Sequence, residues 1–233
     1  MNYNWNWGIF FEASPEGTGT YADMLLSGLM WTIVTALCAW VIAFAIGSVI
    51  GVLRTLPSRG AQAVGNAYVE LFRNIPLLVQ MFLWYFVLPE VLPEAWGTWL
   101  KQLPNAPFYT AVVCLGFFTA SRVAEQVRAG IQALPRGQRM AGTALGLTTA
   151  QTYRYVLLPR ALRVVIPPLT SESMNIIKNS SVAFAVSVAE LTQFAMQAQE
   201  ETSRGIEIYL AVTALYAFTA FTVNRAMALV ERL

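Results

Sequence analysis

The side chains able to do chemistry in this chain are carboxylates, guanidinium groups and one amine, each set among apolar residues: Glu70, Arg73, Arg122, Glu125, Glu172, Lys178 and Glu190. No histidine occurs in the 233 residues. That removes a His-based metal site, a Ser-His-Asp triad and a histidine proton relay. Cys38 and Cys114 both lie in apolar runs and carry no redox message. Without a carboxylate and serine cluster at one end of the molecule, an enzyme has little to work with. A charge at the centre of a membrane helix costs about 2.5–3.5 kcal/mol, so these groups need partners or a watery path. Glu70 and Arg73, Arg122 and Glu125, and Glu125 and Arg128 each stand three residues apart, the spacing of neighbours on a helix. The expectation is a structural ion pair Glu70–Arg73 beside Pro76, with local neutralisation open to the others. Glu172, Asn175 and Lys178 repeat the spacing and are expected along one helix face. Such a stripe would either line a substrate path or form a hydrogen-bonded seam against a partner helix, and the sequence leaves both open.

The elements holding these residues are membrane helices. Apolar residues make up 56% of the chain, charged residues only 12%, and mean hydropathy is +0.52. A soluble domain carries about a quarter charged residues. This composition excludes a disordered chain, a coiled coil and a disulfide scaffold, and a net charge of +2 gives no basic surface for nucleic acid. A helix needs about 20 mostly apolar residues to cross a bilayer. Five segments meet or approach this, at 24–53, 66–88, 108–131, 162–191 and 208–230, within a single domain covering 1–233. Pro76 falls inside the second, and Pro167 and Pro168 are expected to interrupt the fourth. Basic residues collect between the first and second spans (Arg54, Arg59), between the third and fourth (Arg136, Arg139, Arg154, Arg160, Arg163) and in the tail (Arg232). The opposite loops are acidic, with Glu12, Glu16, Glu90, Glu94, Glu200, Glu201 and Glu207 against Lys101 and Arg204. The positive-inside rule then puts the N-terminus outside and the C-terminus inside. The opening residues lack the basic region and cleavage site of a signal peptide. Trp5, Trp7, Phe10 and Phe11 read as an interfacial aromatic segment. Gly47 and Gly51 hint at a close helix contact.

Residues 132–160, between the third and fourth spans, are too polar for lipid and too patterned for a connector. Residues 138–145 read as one short helix ended by Gly146, and 150–157 as a second, with Tyr153, Val156 and Leu157 at helical spacing and Pro159 as its stop. Rich in arginine and small residues, this hairpin reads as a docking surface for a soluble protein. The plainer reading is a basic loop against an anionic membrane face.

The loop resembles the EAA loop of permease subunits of bacterial ATP-binding-cassette importers. The family pattern is EAA, three residues, Gly, nine residues, Ile-x-Leu-Pro. Here Met140-Ala141-Gly142 is followed after three residues by Gly146, and after nine more by Val156-Leu157-Leu158-Pro159. The spacing is intact, while Met140 replaces the glutamate and Gly142 the second alanine. VELFRNIPLLVQMFLWYFVLP (69–89), AEQVRAGIQALPRGQ (124–138) and RVVIPPLTSESMNIIKNSS (163–181) are similar to signatures of the polar amino acid permeases. NWNWGIFF and VLPEVLPE are similar to the glutamate/aspartate importer permeases.

The resemblance implies the all-α, five-span fold of a type I ABC importer permease in the bacterial inner membrane. It also implies an assembly of two permeases, identical or sister, with a cytoplasmic dimer of ATP-binding subunits and an extracytoplasmic amino-acid-binding protein. Met140, Ala141, Gly142, Ala144, Gly146, Thr149, Tyr153 and Pro159 would couple the permease to the ATPase. Arg122, Glu172, Asn175 and Lys178 are the candidates for the substrate path, with Arg122 and Lys178 as counter-charges to an acidic amino acid. Glu70, Arg73, Pro76, Pro167 and Pro168 would be structural. No G-x-x-x-x-G-K-[ST] phosphate cradle occurs; ATP and magnesium would sit on the partner, leaving no cofactor on this chain. The competing reading is a channel or secondary carrier working alone, which has no need of the docking hairpin.

Overall fold

The computed structural model describes residues 3–15 and 19–230; Glu16 and Arg232, both used in the charge bias, lie outside the described residues. The helices run in the order α1 (Tyr21–Leu53), α2 (Arg59–Asn74), α3 (Leu77–Phe82), α4 (Leu88–Val91), α5 (Glu94–Gln102), α6 (Ala106–Gln132), α7 (Arg136–Ala144), α8 (Thr149–Thr152), α9 (Leu158–Ser180), α10 (Leu191–Thr202) and α11 (Gly205–Val230). Among the described residues there is no strand, only one isolated bridge between Ala13 and Thr20.

α6 is the central post. Its neighbour α1 begins with a capping box, in which the Thr20 hydroxyl accepts from the Asp23 N–H and the Asp23 carboxylate accepts from the Thr20 N–H. A small-residue stripe of Thr32, Thr35, Ala36, Ala39, Ala43, Gly47 and Gly51 is buried along α1. At Gly47 a Cβ would lie 2.6 Å from Val123 Cβ and 2.7 Å from the Ala120 carbonyl, and at Gly51 2.6 Å from Val127 Cβ. Backbones this close need glycine, so Gly47 and Gly51 serve contact within this chain. α9 packs antiparallel to α6: Gly130 lies against Val165 and Gln126 meets Glu172.

Three helices, α1, α6 and α11, are long and apolar enough to cross a membrane, and a fourth candidate is the pair α2 and Leu77–Val91. That pair bends by 101°, so the span expected at 66–88 is two helical pieces rather than one continuous helix. Pro76 has no N–H to continue α2, and it disfavours helical geometry at Ile75, which is extended (φ −100°, ψ 127°). The carbonyls freed there are met by Gln80, whose buried amide donates to Phe72 O and Ile75 O at 2.8 Å each.

The other prolines behave differently from expectation. α9 continues unbroken through Pro167 and Pro168, and Pro159 sits in its first turn. α8 and α9 are joined by a π-helical turn, Tyr153–Leu157, just as α3 and α4 are joined by Leu83–Val87. Each π turn leads straight into Leu-Pro, at Leu88-Pro89 and Leu158-Pro159. A proline ring strikes the carbonyl four residues back in a regular helix. The wider turn moves that carbonyl away, and the helix continues. The real break comes later: a 3-10 turn, Ser181–Val186, ends at left-handed Ser187 (φ 60°), and α10 starts at Leu191. The segment expected as one span at 162–191 therefore ends early, and α10 replaces a loop. With Arg160, Arg163, Glu172 and Lys178 in it, α9 is not among the apolar crossing helices.

Candidate functional site

The hairpin α7–α8 is built by local rules. Leu147 N–H bonds Gly142 O and Gly146 N–H bonds Thr143 O, each at 3.0 Å, with Gly146 at φ +73°. This is a Schellman ending, and the left-handed residue it needs is the glycine. Thr148 and Gln151 then form a capping box that starts α8. Met140, Ala141, Ala144, Gly146, Thr149 and Pro159 are exposed, as is Leu145, so the hairpin presents an apolar outer face with Met140 69% and Leu145 77% accessible.

Gly142 and Tyr153 turn the other way. A Cβ on Gly142 would lie 2.8 Å from both Cγ2 and Oγ1 of buried Thr152, so the hairpin closes on a glycine. Tyr153 is 5% exposed, and its O–H donates to the Thr55 carbonyl at 2.6 Å, just past the end of α1. Arg139 donates to the Tyr153 oxygen at 2.6 Å and to the Thr55 carbonyl at 3.3 Å. Thr55 and Thr152 had no mark in the sequence pattern and Arg139 counted only as one of the basic loop residues; the tertiary approach of α1 to the loop reveals their contacts.

A second polar group binds α1, α2 and α6 together. Glu125 accepts from Arg54 at 2.6 Å and from Arg128, with Arg73 at 3.8 Å. Arg54 also donates through Nε to Asn66 at 2.8 Å. The expected pair Glu70–Arg73 does not form among the described residues. Glu70 is exposed, and Arg73 lies instead 3.8 Å from Glu125. Arg122 does not pair with Glu125 either; its guanidinium lies over the Phe118 ring at 5.1 Å.

Along α9, Glu172 is buried, Asn175 half-buried and Lys178 exposed. A step of three residues falls about 60° short of a full turn, so the stripe winds out of the α6–α9 seam instead of keeping one face. Gln126 donates to Glu172 at 3.2 Å inside the seam. From that contact, Arg122 lies four residues along α6 and Lys178 six along α9, in the same direction because the helices are antiparallel. Their depths therefore differ by about 3 Å. Neither makes an ion pair among the described residues.

At the other end of α1, fully buried Glu190 caps α10, accepting from Thr192 N–H (3.0 Å), Gln193 N–H (2.9 Å) and Tyr216 O–H (2.9 Å). Glu207 accepts from Asn6 N–H and Tyr3 O–H, and Arg204 donates to the Asn4 carbonyl. The Glu207 carboxylate beside it pushes the Tyr3 phenol above its ordinary value. Trp5, Trp7 and Phe11 stand exposed along this strapped segment.

Residues 43–233 match the family model of the binding-protein-dependent transport system inner membrane component. The chain belongs to this family of inner membrane permeases. It is 48% identical over 235 residues to the glutamate/aspartate import permease protein GltJ of Escherichia coli, covering 100% of this chain and 96% of that one. It is 30% identical to the glutamine transport system permease protein GlnP of Escherichia coli, over 97% and 96% of the two chains. The crystal structure of an amino acid ABC transporter with histidines matches with a TM-score of 0.77 and 31% identity, over 91% of this chain and 94% of that one. An inward-facing MetNI methionine ABC transporter shares the fold, with a TM-score of 0.77 at 22% identity over 94% and 98% of the two chains.

Proposed function

We propose that this chain is the permease subunit of an ATP-driven importer of glutamate and aspartate. It would pair with a second permease, receive substrate from an extracytoplasmic binding protein and take its drive from a cytoplasmic ATPase dimer. In this reading α1, the bent α2–α4 segment, α6, α9 and α11 are five crossings, with the N-terminus outside and the α7–α8 hairpin inside. The exposed apolar rim of Met140, Ala141, Ala144 and Leu145 enters the ATPase, while Tyr153, Arg139 and Thr55 transmit its movement to α1.

The observation that carries the acidic substrate is the placement of Arg122 and Lys178. Two cations without ion-pair partners among the described residues, at nearly one depth on the open side of the α6–α9 seam, are costly in a bilayer and match the two carboxylates of glutamate or aspartate. Glu172 accepts from Gln126 inside the seam and is not a counter-charge to the substrate. The test is uptake of labelled glutamate by proteoliposomes holding the whole assembly. Arg122→Gln is expected to lower uptake of glutamate and aspartate at least tenfold with assembly intact, the equivalent of about 1.4 kcal/mol. Unchanged uptake would remove Arg122 from the path.

A further inference from the structure

A groove of about 730 Å³ runs between α1, α6 and α9, on the side away from Arg122 and Lys178. Its walls include Phe44 and Leu53 of α1, Ile131 of α6, and Leu162 and Leu169 of α9. Arg154 is the one charged residue among those lining it. That guanidinium makes no ion pair among the described residues and lies over its neighbour Tyr155 at 5.6 Å.

Three features fix what fits this groove. First, it has the length of one leaflet. From Leu158 to Leu169 along α9 is about 16 Å, and from Phe44 to Leu53 along α1 about 14 Å, against about 15 Å for half the hydrocarbon core. Second, its charge stands at one end, at the mouth beside Leu53 and Leu158 and next to the α7–α8 hairpin. Third, it lies opposite the polar face, which in the membrane reading above turns it toward lipid. Ile131 is nine residues from Arg122, and Leu169 nine from Lys178; nine residues are about two and a half turns, which places the groove half a turn from the polar face on both helices. A permease partner engaged by the polar face leaves this side to the bilayer.

We propose that the groove binds one acyl chain of an anionic phospholipid from the leaflet on the hairpin side, with the phosphate against Arg154. The inference rests on the membrane reading above and not on the substrate, and its readout, retained lipid, is independent of transport. The assembly purified through this chain is reconstituted in nanodiscs of equal palmitoyl-oleoyl phosphatidylglycerol and phosphatidylcholine, released into mild detergent, and weighed by native mass spectrometry. One phospholipid should remain per copy of this chain, with phosphatidylglycerol favoured about fivefold, as one basic residue at a membrane surface is worth about 1 kcal/mol. Arg154→Gln should leave the lipid bound and abolish the preference. Ser48→Phe and Leu162→Trp, which fill the groove, should remove the lipid. A headgroup ratio unchanged by Arg154→Gln would overturn the proposal, as would full lipid retention in the filled variants. So would disulfide capture of a second protein chain by Leu162→Cys. Should the filled variants fail to assemble, the exposed Arg154→Gln still decides through the headgroup ratio.

Discussion

Tyr153→Phe separates a hairpin that merely hangs between α6 and α9 from one that is bolted to α1. The substitution removes a single oxygen, which donates to the Thr55 carbonyl at 2.6 Å and accepts from Arg139 at the same distance. The bond to the Thr55 carbonyl is buried, on a side chain only 5% exposed. The Thr55 carbonyl keeps only the long 3.3 Å contact from Arg139. Leaving a buried polar group short of its partner costs roughly 1–3 kcal/mol. In a chain of this size each kcal/mol moves the thermal midpoint by about 2–4 °C, so a loss of about 2 kcal/mol predicts a fall of about 4–8 °C. The assay is thermal unfolding of the purified assembly, followed by glutamate uptake per ATP hydrolysed. Tyr155→Phe is the control, because that side chain is 62% exposed and should shift the midpoint little. A Tyr153→Phe midpoint within about 1 °C of the native protein would refute the bolt, whatever happened to transport. A lowered midpoint with uptake per ATP intact would keep the bolt and remove it from the coupling.

Gly142→Ala restores the alanine common at this point of the family loop, yet it should destabilise this chain. Helix propensity favours alanine by up to about 1 kcal/mol, but overpacking against Thr152 at 2.8 Å costs about 1–3 kcal/mol; Thr152→Ala should rescue it in a double-mutant cycle of thermal midpoints, and simple additivity would refute the contact. Gly47→Val should prevent recovery of folded chain by size-exclusion chromatography in detergent, because the Ala120 carbonyl at 2.7 Å is backbone and has nowhere to go. Gly137→Ala, with nothing within 4 Å of its Cβ, should be recovered as well as the native chain, and equal behaviour of the two variants would overturn the account of α1–α6 packing.

What the sequence made legible was local in origin. The hydropathy of α1, α6 and α11 and the helix-ending glycine at 146 are each determined within a few turns of chain, and the structure has them where the pattern places them. The departures lie where a residue's behaviour depends on more than its own type and spacing. Arg73 and Glu70 have the right spacing for a pair, but Glu125 already sits between Arg54 and Arg128 and offers a deeper site. Pro159 has the residue type of a helix stop, but a π turn just before it removes the clash that would stop the helix. The stripe Glu172–Asn175–Lys178 has helical spacing, but three is not 3.6, and the shortfall carries Lys178 from the seam to the open face.

That shortfall also gives the two sides of the α6–α9 pair their opposite characters. A stripe repeating every three residues drifts around its helix, so charge enters the seam at Glu172 and leaves it at Lys178. Residues such as Leu158, Leu162, Val165 and Leu169, spaced by three and four, hold to a single line and keep the other side apolar. One helix thus carries a polar face and an apolar face, and the apolar one bears no charged residue apart from Arg154 just before its start. Moving Lys178 by a single position would turn it by about 100°, away from Arg122 and into the packed interface. The separation of the two faces is therefore set by residue spacing on α9, which the unbroken helix through Pro167 and Pro168 preserves.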